Sequence, residues 1–389
     1  MLSRRTGWDL AANAFAARLE AARASGASLL DLTETNPTRV GLAWPAATLA
    51  AALADPRVAT HEPSPQGLPE AREAVSGWLA ARGAEVPPGR IVLTASTSEG
   101  YGLLLKLLCD PGDEVLVPAP SYPLLDLLAG LECVSLARYP LAYDGEWHLD
   151  LGALAARIGP RTRAVVVVSP SNPAGAVLSA EELAALDALC AERGLALVGD
   201  EVFADVALRP APSVASARAC LAFHLAGLSK TCGLPQLKAA WIAAAGPASL
   251  VGPALARLEV AADAYLSVST PAQLALPRLL AHRESSFLAP LRARLAANRA
   301  RLAPPPGAAW DVLASGGGWS AVIRMGERVD EEALALSLLD EGVAIWPGFL
   351  YDFARPGHLV LSLLPHPGVF TEAVERMASR LARGTTAGR

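Results

Sequence analysis

The residues best able to do chemistry are picked out by what the chain avoids. Of its 33 basic residues only three are lysine, Lys106, Lys230 and Lys238, and the other thirty are arginine. Arginine stays protonated at any workable pH, whereas lysine can lose its proton and attack a carbonyl. Lys106 reads as a solvated residue on a helix. The other two stand eight residues apart in Ser229-Lys230-Thr231-Cys232-Gly233-Leu234-Pro235-Gln236-Leu237-Lys238. Flanked by Gly227, Ser229 and Gly233, Lys230 suits an amine that holds a carbonyl cofactor as an imine and then moves protons. The alternative is an ordinary surface lysine.

Four further clusters complement such an amine. Asp200 closes the apolar run Leu195-Ala196-Leu197-Val198-Gly199. A carboxylate there is costly unless paired, and a protonated pyridine nitrogen would pair it; a helix cap or a Mg²⁺ ligand reads as well from the sequence. Thr97 and Ser98, in Thr94–Gly100, offer hydroxyls and N–H groups at a helix start, which suits a phosphate or plain capping. Asn172, in Ser169-Pro170-Ser171-Asn172-Pro173-Ala174-Gly175, is aimed by two prolines toward a phenolate oxygen or simply forms a turn. Tyr122 can stack on a flat ring or join the core.

The elements that must position these groups alternate. Strand-like runs Ile91–Ala95, Glu114–Val117, Cys133–Ala137, Ala164–Val168, Leu195–Val198, Leu221–Leu225 and Ala239–Ala244 are interleaved with helical patterns. These include Ser98–Leu108, Tyr122–Ala129 and a helix from Ser179, with Glu182 completing a capping box and Gly194 ending it. The alternation predicts an α/β fold, a mainly parallel sheet flanked by helices. Ligands of such sheets bind at the carboxyl ends of strands, where all the polar clusters above fall. Long helical patterns then run from Ser249 to Arg301, and Pro304–Gly307 breaks them. Strands at Trp319–Met325, Val343–Trp346 and Leu359–Leu363, with helices at Asp330–Glu341 and Pro367–Ala382, predict a smaller α+β domain. The expected division is 46–284 for the large domain, with 1–45 and 285–389 together forming the small one.

Composition excludes other classes. The 389 residues are 52% hydrophobic and 18% charged, enough for a sizeable core. A net charge of −5 and a pI near 5.8 give no footprint for nucleic acid. No apolar run matches a membrane span. The stretch Leu10–Ala24 reads as an amphipathic helix without the apolar core of a signal peptide, so a cytoplasmic location is expected. Five widely spaced cysteines and six histidines lack metal-ligand spacing.

With Ser171-Asn172-Pro173, Asp200-Glu201 and Leu228-Ser229-Lys230 in view, the chain resembles the class I/II aminotransferases, pyridoxal-phosphate enzymes of fold type I. The resemblance runs from Asp31-Leu32-Thr33-Glu34-Thr35-Asn36-Pro37 to the C-terminal helix. It includes Gln66-Gly67-Leu68-Pro69-Glu70-Ala71-Arg72-Glu73-Ala74 and Asp110-Pro111-Gly112-Asp113-Glu114-Val115. Each motif is weak singly, but their order and spacing are specific.

The resemblance implies roles. Lys230 is the Schiff-base lysine, Asp200 the pyridinium partner, Asn172 a ring-oxygen contact and Tyr122 the stacking ring. Thr97, Ser98 and Ser229 belong to the cofactor site, the first two at the phosphate. A homodimer with shared active sites is implied, in which His61 and the loop Ser267–Gln273 face the partner's site. The departures are also specific. Phe203 stands where many members have a tyrosine, Gly227 where a phosphate-binding serine is common, and Lys238 where an arginine meets the phosphate. Val360 stands where an arginine clamps the substrate carboxylate, with Arg355 as the nearby substitute. Trp319 and Asn36 are the remaining candidate pocket residues, set against a core aromatic and a loop asparagine. The function implied is transfer of an amino group between an amino acid and a 2-oxo acid. A β-elimination lyase or a decarboxylase is the alternative, and a non-catalytic effector-sensing domain a more distant one.

Overall fold

The computed structural model describes residues 2–266 and 268–386. Among these, eight strands form the large sheet. Their spatial order is Ile91–Thr94, Ala240–Ala245, Ala222–Gly227, Ala196–Asp200, Thr162–Val168, Glu114–Ala119, Ser135–Tyr143 and Trp147–Leu149. From Ala222–Gly227 across to Ser135–Tyr143, neighbours pair in parallel. Ala240–Ala245 runs antiparallel to both its neighbours, and Trp147–Leu149 closes a hairpin.

The interior strands are apolar on both faces because helices cover both. Side chains alternate along a strand, so Val165, Val167 and Leu197 enter one core, while Ala164, Val166, Ala196 and Val198 enter the other. The helix Ala180–Arg193 begins with the expected reciprocal capping: Glu182 N–H donates to Ser179 Oγ at 3.1 Å and Ser179 N–H to Glu182 Oε2 at 2.7 Å. It ends at Gly194, whose φ of 65° is left-handed.

The smaller sheet is antiparallel, in the order Trp310–Val312, Ser320–Met325, His358–Ser362 and Trp346–Pro347. Leu30–Asp31 pairs in parallel with Val343–Ala344, which ties the N-terminal segment to the last hundred residues. The single strand expected at Val343–Trp346 is therefore two short pieces with different partners. The first helix starts at Ala14 rather than Leu10, because Asn13 caps it by accepting from Ala16 N–H at 2.7 Å. The expected strand at Cys133–Ala137 instead spans Ser135–Tyr143, since Cys133 takes a left-handed φ of 59°. The Ser249–Arg301 region is three helices, Ala248–Asp263, Thr270–Arg283 and Ala289–Arg301, the last two joined by a π turn at Glu284–Leu288. No helix among the described residues is long and apolar enough to cross a membrane.

One glycine lets the two sheets meet. Gly175 has φ 72°, and a Cβ there would lie 2.0 Å from Ser315 Oγ and 2.6 Å from the Gly317 carbonyl. Its carbonyl accepts from Gly316 N–H at 2.9 Å. This contact seats the segment before Trp319 on the turn that carries Asn172.

Candidate active site

Two adjacent parallel strands deliver the central residues. Ala196–Asp200 ends in Asp200, and its neighbour Ala222–Gly227 leads into a single helical turn, Leu228–Thr231, that carries Lys230. Burial pushes the Lys230 ammonium below its ordinary pKa, and the Asp200 carboxylate opposes that shift. Burial pushes the Asp200 carboxyl up, opposed by the Val202 N–H, the Tyr101 hydroxyl and Lys230. The two desolvated groups thus stabilise each other's charge. Tyr101 Oη donates to Asp200 Oδ2 at 3.0 Å, and Val202 N–H donates to Oδ1 at 3.2 Å. Sequence reasoning missed Tyr101. The available signal was its position four residues after Thr97, on the same face of one helix.

Two rings enclose the amine. Lys230 Nζ lies 4.8 Å from the Trp319 ring centroid and 5.9 Å from that of Phe203. The rings meet edge to face at 5.0 Å and 73°, and both are buried. This geometry is favourable for a cation over aromatic faces.

A helix N-terminus supplies the complementary end. Ser96 caps the helix Thr97–Leu108 by accepting from Glu99 N–H at 3.1 Å. Thr97 and Ser98 occupy its first two positions, where N–H groups precede the first intrahelical bond and attract anions. Thr231, beside Lys230, is buried, and its Oγ1 has no hydrogen-bond partner among the described residues. An amine kept desolvated, an acid beside it, an unsatisfied hydroxyl and a helix N-terminus form a donor set that fits a phosphorylated pyridine aldehyde.

The family model for aminotransferase class I and II matches residues 29–379. The chain belongs to the class I and II aminotransferases. It is 30% identical over 388 residues to the alanine aminotransferase of Mycobacterium tuberculosis, covering 94% of this chain and 88% of that protein. It is 29% identical over 378 residues to the glutamate-pyruvate aminotransferase AlaA of Escherichia coli K12, covering 92% and 90%. The fold matches an alanine aminotransferase from Pyrococcus furiosus with a TM-score of 0.88 at 21% identity, over 98% of this chain and 100% of that one. An aspartate aminotransferase of Thermus thermophilus matches with a TM-score of 0.83 at 25% identity, over 98% and 99%. The aminotransferase moves an amino group between an amino acid and a 2-oxo acid, and its family works with pyridoxal 5'-phosphate. These relatives favour transfer over elimination, decarboxylation or effector sensing.

The remaining expected residues of this aminotransferase differ in burial and in what holds them. Asn172 is half-buried, and Ser320 Oγ lies 3.5 Å from its Oδ1. Ser229 is half-buried beside Lys230. Tyr122 is 50% exposed, next to the backbone contact in which Ser121 N–H donates to the Tyr351 carbonyl at 2.9 Å. Lys238 is exposed at φ 52°, and no side-chain hydrogen bond or ion pair reaches it among the described residues.

Others are committed elsewhere. Asn36 Oδ1 caps its own turn, accepting from Thr38 N–H at 3.0 Å and Thr38 Oγ1 at 2.7 Å. His61 is exposed, and Ser267, in the loop expected to face a partner, lies outside the described residues. Arg355 is on the surface, ion-paired to Glu327 at 2.9 Å with its side chain 77% exposed. Val360 is buried in the hydrophobic core, flanked across the strands by Val322 and Trp346, and carries no charge for a carboxylate. Gly227 is tightly enclosed: a Cβ there would sit 2.6 Å from Ala240 Cβ. Antiparallel pairing with Ala240–Ala245 therefore leaves no room for a serine at that position.

Proposed function

We propose that Lys230 is the catalytic amine of this aminotransferase and holds pyridoxal 5'-phosphate covalently. The observation that carries the reading is a desolvated Lys230 amine enclosed by Phe203 and Trp319, with the buried Asp200 carboxylate beside it. Asp200 would hold the pyridine nitrogen, with Tyr101 steadying its carboxylate. Asn172 would contact the ring oxygen and Tyr122 the ring face. Thr97, Ser98, Ser229 and Lys238 would hold the phosphate, Lys238 as a point charge rather than a bidentate fork. When bound, the cofactor supplies a carbonyl for the amino group and an electron sink for the α-carbon.

The protein's own contribution is proton transfer and orientation. A lysine with a depressed pKa is more readily the free base, so Nζ can take the substrate's α-proton and deliver it to a neighbouring carbon. From the names of the relatives, alanine, glutamate and pyruvate are the proposed substrates. We read the enzyme as a cytoplasmic homodimer in which His61 faces the partner's site. Its two domains divide at 46–284 against 1–45 with 285–389.

The test is spectroscopic. The purified protein loaded with pyridoxal 5'-phosphate is titrated with single amino acids. Alanine or glutamate is expected to convert the aldehyde-form absorbance to the amine form, and pyruvate to reverse it. Ammonia release without that conversion would replace transfer by elimination. A protein that stays colourless with added cofactor would defeat the reading.

A further inference from the structure

The segment that carries Tyr122 is tied down from outside the large sheet. Tyr122 is 50% exposed, so packing alone does little to fix its ring. It follows the strand Glu114–Ala119 and precedes the helix Leu124–Leu131. Arg138 lies on the neighbouring parallel strand, in register with Val117. Its guanidinium reaches Asp126 in the first turn of that helix, where Nη2 donates to Oδ1 at 2.7 Å and to Oδ2 at 2.9 Å. The same guanidinium reaches Asp352, with Nε donating to Oδ2 at 2.8 Å. Asp352 belongs to the loop between Trp346–Pro347 and His358–Ser362 of the smaller sheet. That loop is firmly held. Buried Glu331 accepts from Phe349 N–H at 2.7 Å and from His358 N–H at 2.9 Å, and Phe353 stacks on His358 at 4.3 Å and 9°. Tyr351 is buried, and its carbonyl accepts from Ser121 N–H at 2.9 Å. Its phenol is pushed up in pKa by burial and then by the Tyr122 phenol beside it.

Asp352 has a φ of 56°, a left-handed backbone that residues other than glycine adopt at a cost. Glycine would take that conformation freely. The chain places a carboxylate there instead, and that carboxylate meets Arg138. Tyr122 therefore sits between two ties to one loop. Ser121 is tied through the backbone, and Asp126, one turn on, through Arg138. A lone exposed ion pair would count for little. Here one guanidinium holds two carboxylates, and its planar fork fixes orientation as well as distance. We propose that Arg138 and Asp352 form a latch that clamps the 348–353 loop of the smaller sheet onto segment 121–131, and so holds the Tyr122 ring over the cofactor. Both are positioning residues that act through Tyr122. The hold on the ring rests on the reading of Tyr122 as the residue on the cofactor's face; the clamp itself does not.

Hydrogen exchange in the cofactor-free protein tests the clamp. Arg138→Gln and Asp352→Asn each remove one charge. Asparagine tolerates the left-handed backbone, and Asp352 is exposed, so the second variant isolates the charge without disturbing the fold. Each is expected to speed exchange of the Ser121 amide by about threefold to tenfold. Adding Asp352→Asn to Arg138→Gln is expected to change nothing further, because the two charges act as one contact. Unaltered exchange at Ser121 in the single variants, or effects that add in the double variant, would overturn the proposal. The consequence is read in the holoenzyme, from the visible circular dichroism of bound pyridoxal 5'-phosphate, which reports the asymmetry of its surroundings. Both single variants are expected to diminish that band and to weaken cofactor affinity by about twofold to fivefold. In a Tyr122→Ala background the same substitutions are expected to leave band and affinity where Tyr122→Ala alone puts them. An equal loss with and without the Tyr122 ring would overturn the positioning role. If Tyr122→Ala alone matches the wild type in band and affinity, the stacking reading fails, while the Ser121 exchange still decides the clamp.

Discussion

Tyr101 and Asp200, 99 residues apart, are joined by a 3.0 Å hydrogen bond in which the phenol donates to Oδ2. The bond links the helix that starts at Thr97 to the strand end that carries the acid. It favours the ionised carboxylate against the burial that opposes it. A charge-assisted bond of this kind is worth about 1.5–3 kcal/mol. Tyr101→Phe is therefore expected to weaken pyridoxal 5'-phosphate binding by roughly tenfold to a hundredfold, measured by equilibrium dialysis. Asp200→Asn is expected to weaken it more. Unchanged affinity in Tyr101→Phe would separate the bond from the cofactor.

Lys230→Arg keeps the charge and most of the length but cannot supply a free amine. Turnover is expected to fall by more than about 10³-fold, and borohydride treatment is expected to trap no cofactor on the protein. Mass spectrometry of the reduced wild type should place the cofactor on the peptide containing Lys230. Trapping on Lys238 instead would reassign the amine.

Gly227→Ser introduces a Cβ 2.6 Å from that of Ala240. Overpacking of this kind costs about 1–3 kcal/mol. A lower denaturation midpoint is expected, with no gain in affinity for the cofactor. A tighter-binding, equally stable variant would show that the strand pair can open to admit the hydroxyl.

Buried Glu201 and His224, whose Oε2 and Nε2 lie 3.5 Å apart, make stability depend on pH in two opposing ways. His224 has a depressed folded pKa, about 3 against an ordinary 6.5, so its contribution is present above 6.5 and lost as pH falls toward 3. Glu201 has a raised folded pKa, about 7 against 4.5, so its contribution is present below 4.5 and lost as pH rises toward 7. The two slopes oppose each other between 4.5 and 6.5. In Glu201→Gln only the His224 slope remains, and stability in urea is expected to rise more steeply with pH across that window than in the wild type. An equal slope in both proteins would contradict the Glu201 shift.

Much of this was legible in the residues themselves. Lysine scarcity singled out Lys230, and the apolar run before Asp200 marked a buried strand end. The Ser179–Glu182 capping box and the glycine at 194 appeared where expected, because capping and periodicity are short-range properties. The ordered motifs identified the family. What local pattern could not carry was proximity across the sheet. The hydrogen bond from Tyr101 to Asp200, the facing of Glu201 and His224, and the enclosure of Lys230 by Phe203 and Trp319 all depend on strand order and on how the smaller sheet settles at Gly175. Arg355 shows the same limit in reverse: five residues from Val360 in sequence, it points to the surface and pairs with Glu327. Gly227 was legible as a departure from the family, but its cause is the antiparallel neighbour Ala240. The sequence by itself determined which groups can react, since that is a matter of side-chain chemistry. Only the tertiary structure decided which of them meet, since desolvation and contact arise between segments brought together by packing.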